Sequence, residues 1–149
     1  MSDLSPAQLS ERLRRLEDER AIVDTMNGTA LAMDYGDRDL FLGSFTSDAD
    51  YAVEVRTRPE YNVRVHGQDE IGAYFDRHTH APAVWHKNVV TNPSVVVTGD
   101  TAKVTSYLIR LGAEEKGSAN VAFGRLTDDF VRGDDGKWRL KSRLAEMES

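Results

Sequence analysis

The chain reads as an α+β protein, and three observations carry that reading. One long helical pattern occupies the N-terminal part of its 149 residues. From Val89 onward the pattern alternates in the manner of strands. The breaks between those strands, Gly99-Asp100 and Gly133-Asp134-Asp135-Gly136, are hairpin-type turns. Helices first and a mostly antiparallel sheet afterwards is the α+β order, not the alternation of a parallel sheet.

Ser5-Pro6 predicts the first helix start, a hydroxyl cap followed by proline at the first helical position. The helical pattern runs to about Tyr35. Leu9, Leu13 and Leu16 form one stripe, which Val23, Met26, Ala30 and Met33 extend at spacings of three and four, so the whole stripe is expected to face the core. Gly28 marks a close contact or a bend, and Gly36 suits the left-handed C-cap. Asp37 starts a turn. A short second helix is expected over Arg38 to Phe45, with Leu40, Phe41 and Phe45 turned inward.

Ala49 to Thr57 then alternates, with Tyr51, Val53 and Val55 on one face. Arg58-Pro59-Glu60 is a turn and Asn62 to His66 a second strand. Gln68 to about Arg77 is helical, with Ile71, Tyr74 and Phe75 on one side. Pro82 ends it, because the residue before a proline is pushed out of the helical region. Strands are expected over Val89 to Thr98, Ala102 to Gly112, Ala119 to Arg132 and Lys137 to Leu144. With no internal repeat, low-complexity segment or linker, residues 1–149 read as a single domain.

Composition excludes several classes. A net charge of −6 lacks the basic face that nucleic-acid binding wants. No apolar run approaches the roughly 18 residues of a membrane span, and the charged N-terminus lacks the apolar core of a signal peptide. Without cysteine there is no disulfide and no thiolate metal site. A cytoplasmic protein is the expectation. No glycine-rich phosphate loop, dinucleotide fingerprint or G-x-S-x-G is present, so no cofactor is expected.

The segment HTHAPAVWH, residues 78 to 86, holds three of the four histidines, the fourth being His66. A metal site needs three or four converging ligands. No third ligand stands near His78 and His80, so no metal is expected, and these two read as a solvated helix-exit loop. His86 follows Trp85 and enters an apolar strand. There it is either a neutral imidazole beside a pocket, suited to general-base work, or a core-edge histidine bonded to backbone. Asp34 continues the helical line of Val23, Asn27 and Ala30, facing core or cavity, where a carboxylate is costly unless paired or at work. The alternative is an exposed helix-terminal residue beside Gly36. Arg143, in the last strand, could stabilise a developing negative charge or lie exposed with Arg139 and Lys141. Tyr51, Tyr74, Trp85, Tyr107 and Phe123 either line a hydrophobic cavity or form plain core.

Four segments taken together resemble the SnoaL-like branch of the nuclear transport factor 2-like superfamily. They are MDYGDRDLFLGSFTSDADY (33–51), HGQDEIGAYF (66–75), TNPSVVVTGDTAKVTSY (91–107) and GRLTDDFVRGDDGKWRLKSR (124–143). The resemblance implies a cone-shaped barrel of strongly curved sheet, with helices enclosing a hydrophobic pocket. It also implies an oligomer interface on the curved sheet, hence a homodimer or homotrimer. Within the superfamily the pattern is most similar to the scytalone dehydratase and dehydrochlorinase group, whose Asp-His dyad works without cofactor. That similarity implies catalytic roles for Asp34, His86 and Arg143. Counting back from Asn92, however, the dyad histidine position falls on Asn88, with His86 two residues earlier. In extended backbone the two share a face. Met33 stands where scytalone dehydratase has a tyrosine, leaving carbonyl polarisation to another residue such as Tyr51. The expectation is therefore a lyase or isomerase acting on a small hydrophobic cyclic molecule. The alternative is a non-catalytic binding module or a β-type subunit of a ring-hydroxylating oxygenase.

Overall fold

A computed structural model describes residues 3–113 and 119–149. The first helix, α1, spans Pro6–Tyr35. Ser5 and Gln8 cap it reciprocally, the Gln8 N–H donating to the Ser5 hydroxyl and the Ser5 N–H to the Gln8 side chain. Gly36 ends it at φ 79°, where a side chain would be strained.

Only the C-terminal part of α1 packs. Its buried line is Asp18, Ile22, Met26, Thr29 and Met33. The expected inward stripe of Leu9, Leu13 and Leu16 is exposed, Leu16 at 63%. The spacing of apolar residues locates a helix face but not the element that covers it, and no described element covers these turns. Where packing begins, Asp18 holds the helix to the sheet, accepting from Arg132 Nη1 at 2.6 Å and from Trp138 Nε1 at 3.0 Å.

Helix α2, Arg38–Gly43, stops earlier than expected, and Phe45 opens strand β1, Phe45–Val55. A 3-10 turn at Pro59–Tyr61 leads to β2, Val63–His66. Helix α3, Gly67–His78, follows. The remaining strands are β3, His86–Thr98, β4, Thr101–Ala113, β5, Ala119–Arg132, and β6, Trp138–Met147.

The six strands form one sheet in the order β2-β1-β6-β5-β4-β3. Every pairing is antiparallel except β1 with β6. The sheet curls without closing, with β2 and β3 at its edges, so the cone is an open half-barrel, not a closed one. Its concave face meets α1, α2 and α3 in a core built on Ile22, Met26, Phe41, Phe75, Phe130 and Leu140. Side chains of this size contribute about 1.5–3 kcal/mol each when fully buried.

Alternation along the strands decides what reaches the concave face. On β4 it is Ala102, Val104 and Ser106; on β5 it is Leu126, Asp128 and Phe130. On β3 a register shift between Thr91 and Ser94, with Asn92 at φ 54°, breaks the pairing with β4.

Candidate active site

A cavity of about 310 Å³ lies between α1, α3 and the concave sheet. That is the low end of the range typical of small-molecule sites. Apolar groups such as Met33, Phe41, Val53, Val90, Leu108 and Leu126 make most of its wall. The polar groups on it are few, and they converge.

Asp34 sits in the last turn of α1, 3% exposed. Its carboxylate is held chiefly by Asn88. The Asn88 backbone N–H donates to Oδ1 at 3.1 Å and Oδ2 at 3.0 Å, and the Asn88 side-chain amide donates to Oδ1 at 2.6 Å. His86, also buried, places Nε2 3.4 Å from Oδ1. That is contact distance, longer than a normal hydrogen bond. Both residues stand on β3 two positions apart, in extended backbone, and both line the cavity. Asn88 takes the close position on the carboxylate and His86 remains beside it, so the two readings open at the sequence level coexist.

The Nδ1 of His86 is buried with no hydrogen-bond partner. Burial lowers the His86 pKa from its ordinary value of 6.5; Asp34 pulls it back up, and Arg110 pushes it down again. The ring is therefore neutral at pH 7, with Asp34 placed to stabilise the charge it would acquire.

Arg143 faces the cavity, but not as a free cation. Its Nε and Nη2 donate to Asp128 at 2.8 and 2.7 Å. The two are cross-strand neighbours on β6 and β5, and Tyr51 on β1 continues the row. Burial opposes the Arg143 charge, yet the adjacent Asp128 more than offsets it and the pKa is raised. Asp128, fully buried, escaped sequence reasoning, although its phase with Leu126 and Phe130 marks it as inward-facing.

Tyr51 and Tyr74 line the cavity side by side, ring centroids 4.7 Å apart. Burial raises both pKa values, so both phenols stay protonated and able to donate. His78 is exposed, as expected, but it is the last residue of α3 and not part of a loop; its ring stacks on Tyr74 at 4.2 Å and lines the cavity. His80 is exposed, its ring 6.0 Å from that of His86. His66 is distant in role, pairing with Asp50 at the surface.

Three expected lining residues are not on the wall. Tyr107 and Phe123 are 56% and 50% exposed, because they occupy the out-of-phase positions of β4 and β5 and point to the convex face. Trp85, 46% exposed, precedes β3 and packs on Tyr35 instead. Arg110 was not anticipated and does line the cavity, in phase with Ser106 and Leu108. Among the described residues no group of three or more His, Asp or Glu could hold a metal ion, and no helix is long and apolar enough to cross a membrane.

Residues 14–144 match the family described as the SnoaL-like domain. No curated protein matches the sequence. Among solved structures, an NTF2-like protein with a cystatin-like fold from Novosphingobium aromaticivorans is similar at 25% identity. It has a TM-score of 0.83 over 99% of this chain and 91% of its own. A provisional aromatic ring hydroxylase from the same organism is 28% identical, with a TM-score of 0.74 over 90% of this chain and 91% of its own. A provisional scytalone dehydratase, again from Novosphingobium aromaticivorans, is 18% identical. Its TM-score is 0.76 over 91% of this chain and 87% of its own, a likeness of fold.

Proposed function

The chain belongs to the SnoaL-like domain family, and from that premise we propose that its cavity is the active site of a cofactor-independent lyase or isomerase. The substrate is a small hydrophobic cyclic molecule, and the chemistry is proton transfer at carbon. One observation carries the reading: a buried, neutral imidazole on the wall of a mostly apolar cavity touches a buried carboxylate, and its second nitrogen has no hydrogen-bond partner.

For dehydration of a cyclic β-hydroxyketone the roles follow from position. The His86 imidazole takes the proton from the carbon between carbonyl and carbinol. The C–H electron pair becomes the C=C bond as the C–O bond breaks. The departing hydroxyl takes a proton and leaves as water, the imidazolium being the nearest acid. Asp34 stabilises that imidazolium through Nε2, as a carboxylate does in other histidine relays. Tyr51 donates to the carbonyl oxygen on which negative charge develops. Asn88 and Arg143 act indirectly, Asn88 by fixing Asp34, and Arg143 by its field beside Tyr51.

The test uses 3-hydroxy-1-tetralone, whose loss of water yields fluorescent 1-naphthol. Asp34→Asn and His86→Ala should each lower turnover by about 10²–10⁴-fold, the usual contribution of a positioned acid or base, while keeping the thermal melt of the parent. Full activity in both variants refutes the mechanism.

A second reading has its own support. Val89, Tyr107, Val121 and Phe123 expose apolar side chains on the convex face of β3, β4 and β5, and one of the similar solved structures is a provisional ring hydroxylase. On this reading the convex face seats a protein, either a second and third copy of this chain or an oxygenase partner.

A further inference from the structure

We infer that the molecule bound in this cavity carries a carboxylate, and that Arg110 at the cavity mouth holds it. The inference rests on reading the cavity as a substrate site and adds the substrate's charge to it. The wall carries two arginines, and they are in opposite situations. Arg143 is buried and its guanidinium is occupied by Asp128 through two charge-assisted bonds. Arg110 is solvent-exposed at one end while lining the cavity at the other. Among the described residues no carboxylate lies within ion-pair distance of Arg110.

The carboxylate of Asp34 is already occupied. It accepts from the Asn88 backbone and side chain and touches His86. Asn88 is the direct cross-strand neighbour of Arg110. The guanidinium therefore projects from the strand next to the proposed catalytic pair, with its donors uncommitted among the described residues.

The field of Arg110 is felt across the site. It lowers the pKa of both His78 and His86, in each case behind the larger effect of burial. An anion seated on Arg110 would relieve that field next to His86 as the imidazole gains a proton. A planar guanidinium fork matches a carboxylate with two parallel hydrogen bonds. A single fork, with no second unpaired cation on the wall among the described residues, suits a carboxylate better than a doubly charged phosphate. The ligand so described is a fused or single ring, buried against the apolar wall, with an acid arm reaching the mouth.

Isothermal titration of the whole chain at pH 8, where histidines are neutral, tests this with 1-naphthylacetate and its neutral match 1-naphthylacetamide. The acid should bind the wild type roughly tenfold or more tightly than the amide, which corresponds to about 1.4 kcal/mol. Arg110→Gln should abolish that preference and leave the amide affinity unchanged. Added NaCl should weaken the acid alone. Arg110 is exposed enough for its loss to leave the fold intact, and a thermal melt checks it. Equal affinities for acid and amide in the wild type, an acid affinity unmoved by Arg110→Gln, or binding of neither probe overturns the inference. The titration needs no turnover, so failure of the proton-transfer mechanism and failure of anion recognition are separately visible.

Discussion

Replacing Asp128 by Asn tests what the buried Arg143–Asp128 pair does. The substitution keeps shape and volume and removes one charge, leaving Arg143 cationic at 6% exposure with a neutral neighbour. Asp128 itself is fully buried, and both bonds to it are shorter than 3 Å. Breaking a buried pair by deleting one partner costs about 3–5 kcal/mol. Urea unfolding of a chain this size has a slope of about 1–3 kcal/mol per M, so the midpoint should fall by on the order of 2 M. The melting temperature should drop by roughly 6–20 °C, at about 2–4 °C per kcal/mol. Replacing both partners with apolar residues, Asp128→Leu with Arg143→Met, should recover most of the loss, because no charge is then stranded. The assay is a urea titration followed by circular dichroism at pH 7. A single variant within about 1 kcal/mol of the parent would refute the reasoning, as would a double variant whose loss equals the sum of the singles. Either result would mean that water in the cavity solvates Arg143 well enough for the charge to stand alone.

Three further outcomes are expected. His86 should work as a base only when neutral, so kcat/KM should rise with pH through a midpoint below the ordinary histidine value of 6.5, since burial lowers its pKa more than Asp34 restores it. Because the unfolded chain then binds a proton more readily than the folded one, the same group makes stability fall as pH drops from about 6.5 through the lowered folded value; a pH profile flat across that window excludes His86 from both effects. On the convex face, Phe123→Glu should convert a homodimer or homotrimer into a monomer in sedimentation velocity, and an unchanged sedimentation coefficient would place the interface elsewhere.

The boundaries of the fold were legible where single residues force the backbone. Ser5-Pro6, Gly36, the Gly99-Asp100 turn and the glycine-flanked hairpin each mark the end of an element because few other residues tolerate those conformations. The side chains' destinations were less legible. Leu9, Leu13 and Leu16 share a helix face, but a face is buried only if another element lies opposite, and that is settled by tertiary packing. Tyr107 and Phe123 suggested a pocket by being aromatic, while the alternation of their own strands placed them outside: Ser106 and Leu126 are the inward residues. The same phase rule, applied to charged residues, would have found Asp128 and Arg110. His86 and Asn88 could not be separated in advance, since strand geometry puts both on one face and only the path of β3 past the end of α1 decides which meets Asp34 first.

The parallel pairing of β1 with β6 bears on the order in which the molecule can assemble. Strand β6 lies between β1 and β5, so until Trp138–Met147 is available the chain holds two separate pieces of sheet, the β1–β2 pair and the β3–β4–β5 meander. Contacts such as Tyr51 with Arg143 join residues far apart in sequence, and pairings of that kind slow folding because a long loop must close first. During synthesis the meander has its local partners early, while β1 waits with an open edge for the last strand. Tyr51 and Arg143 meet only at that final step, so the cavity is among the last features to form. A chain that lacked its final strand would expose two unpaired edges in place of one continuous sheet, the state most prone to joining its neighbours.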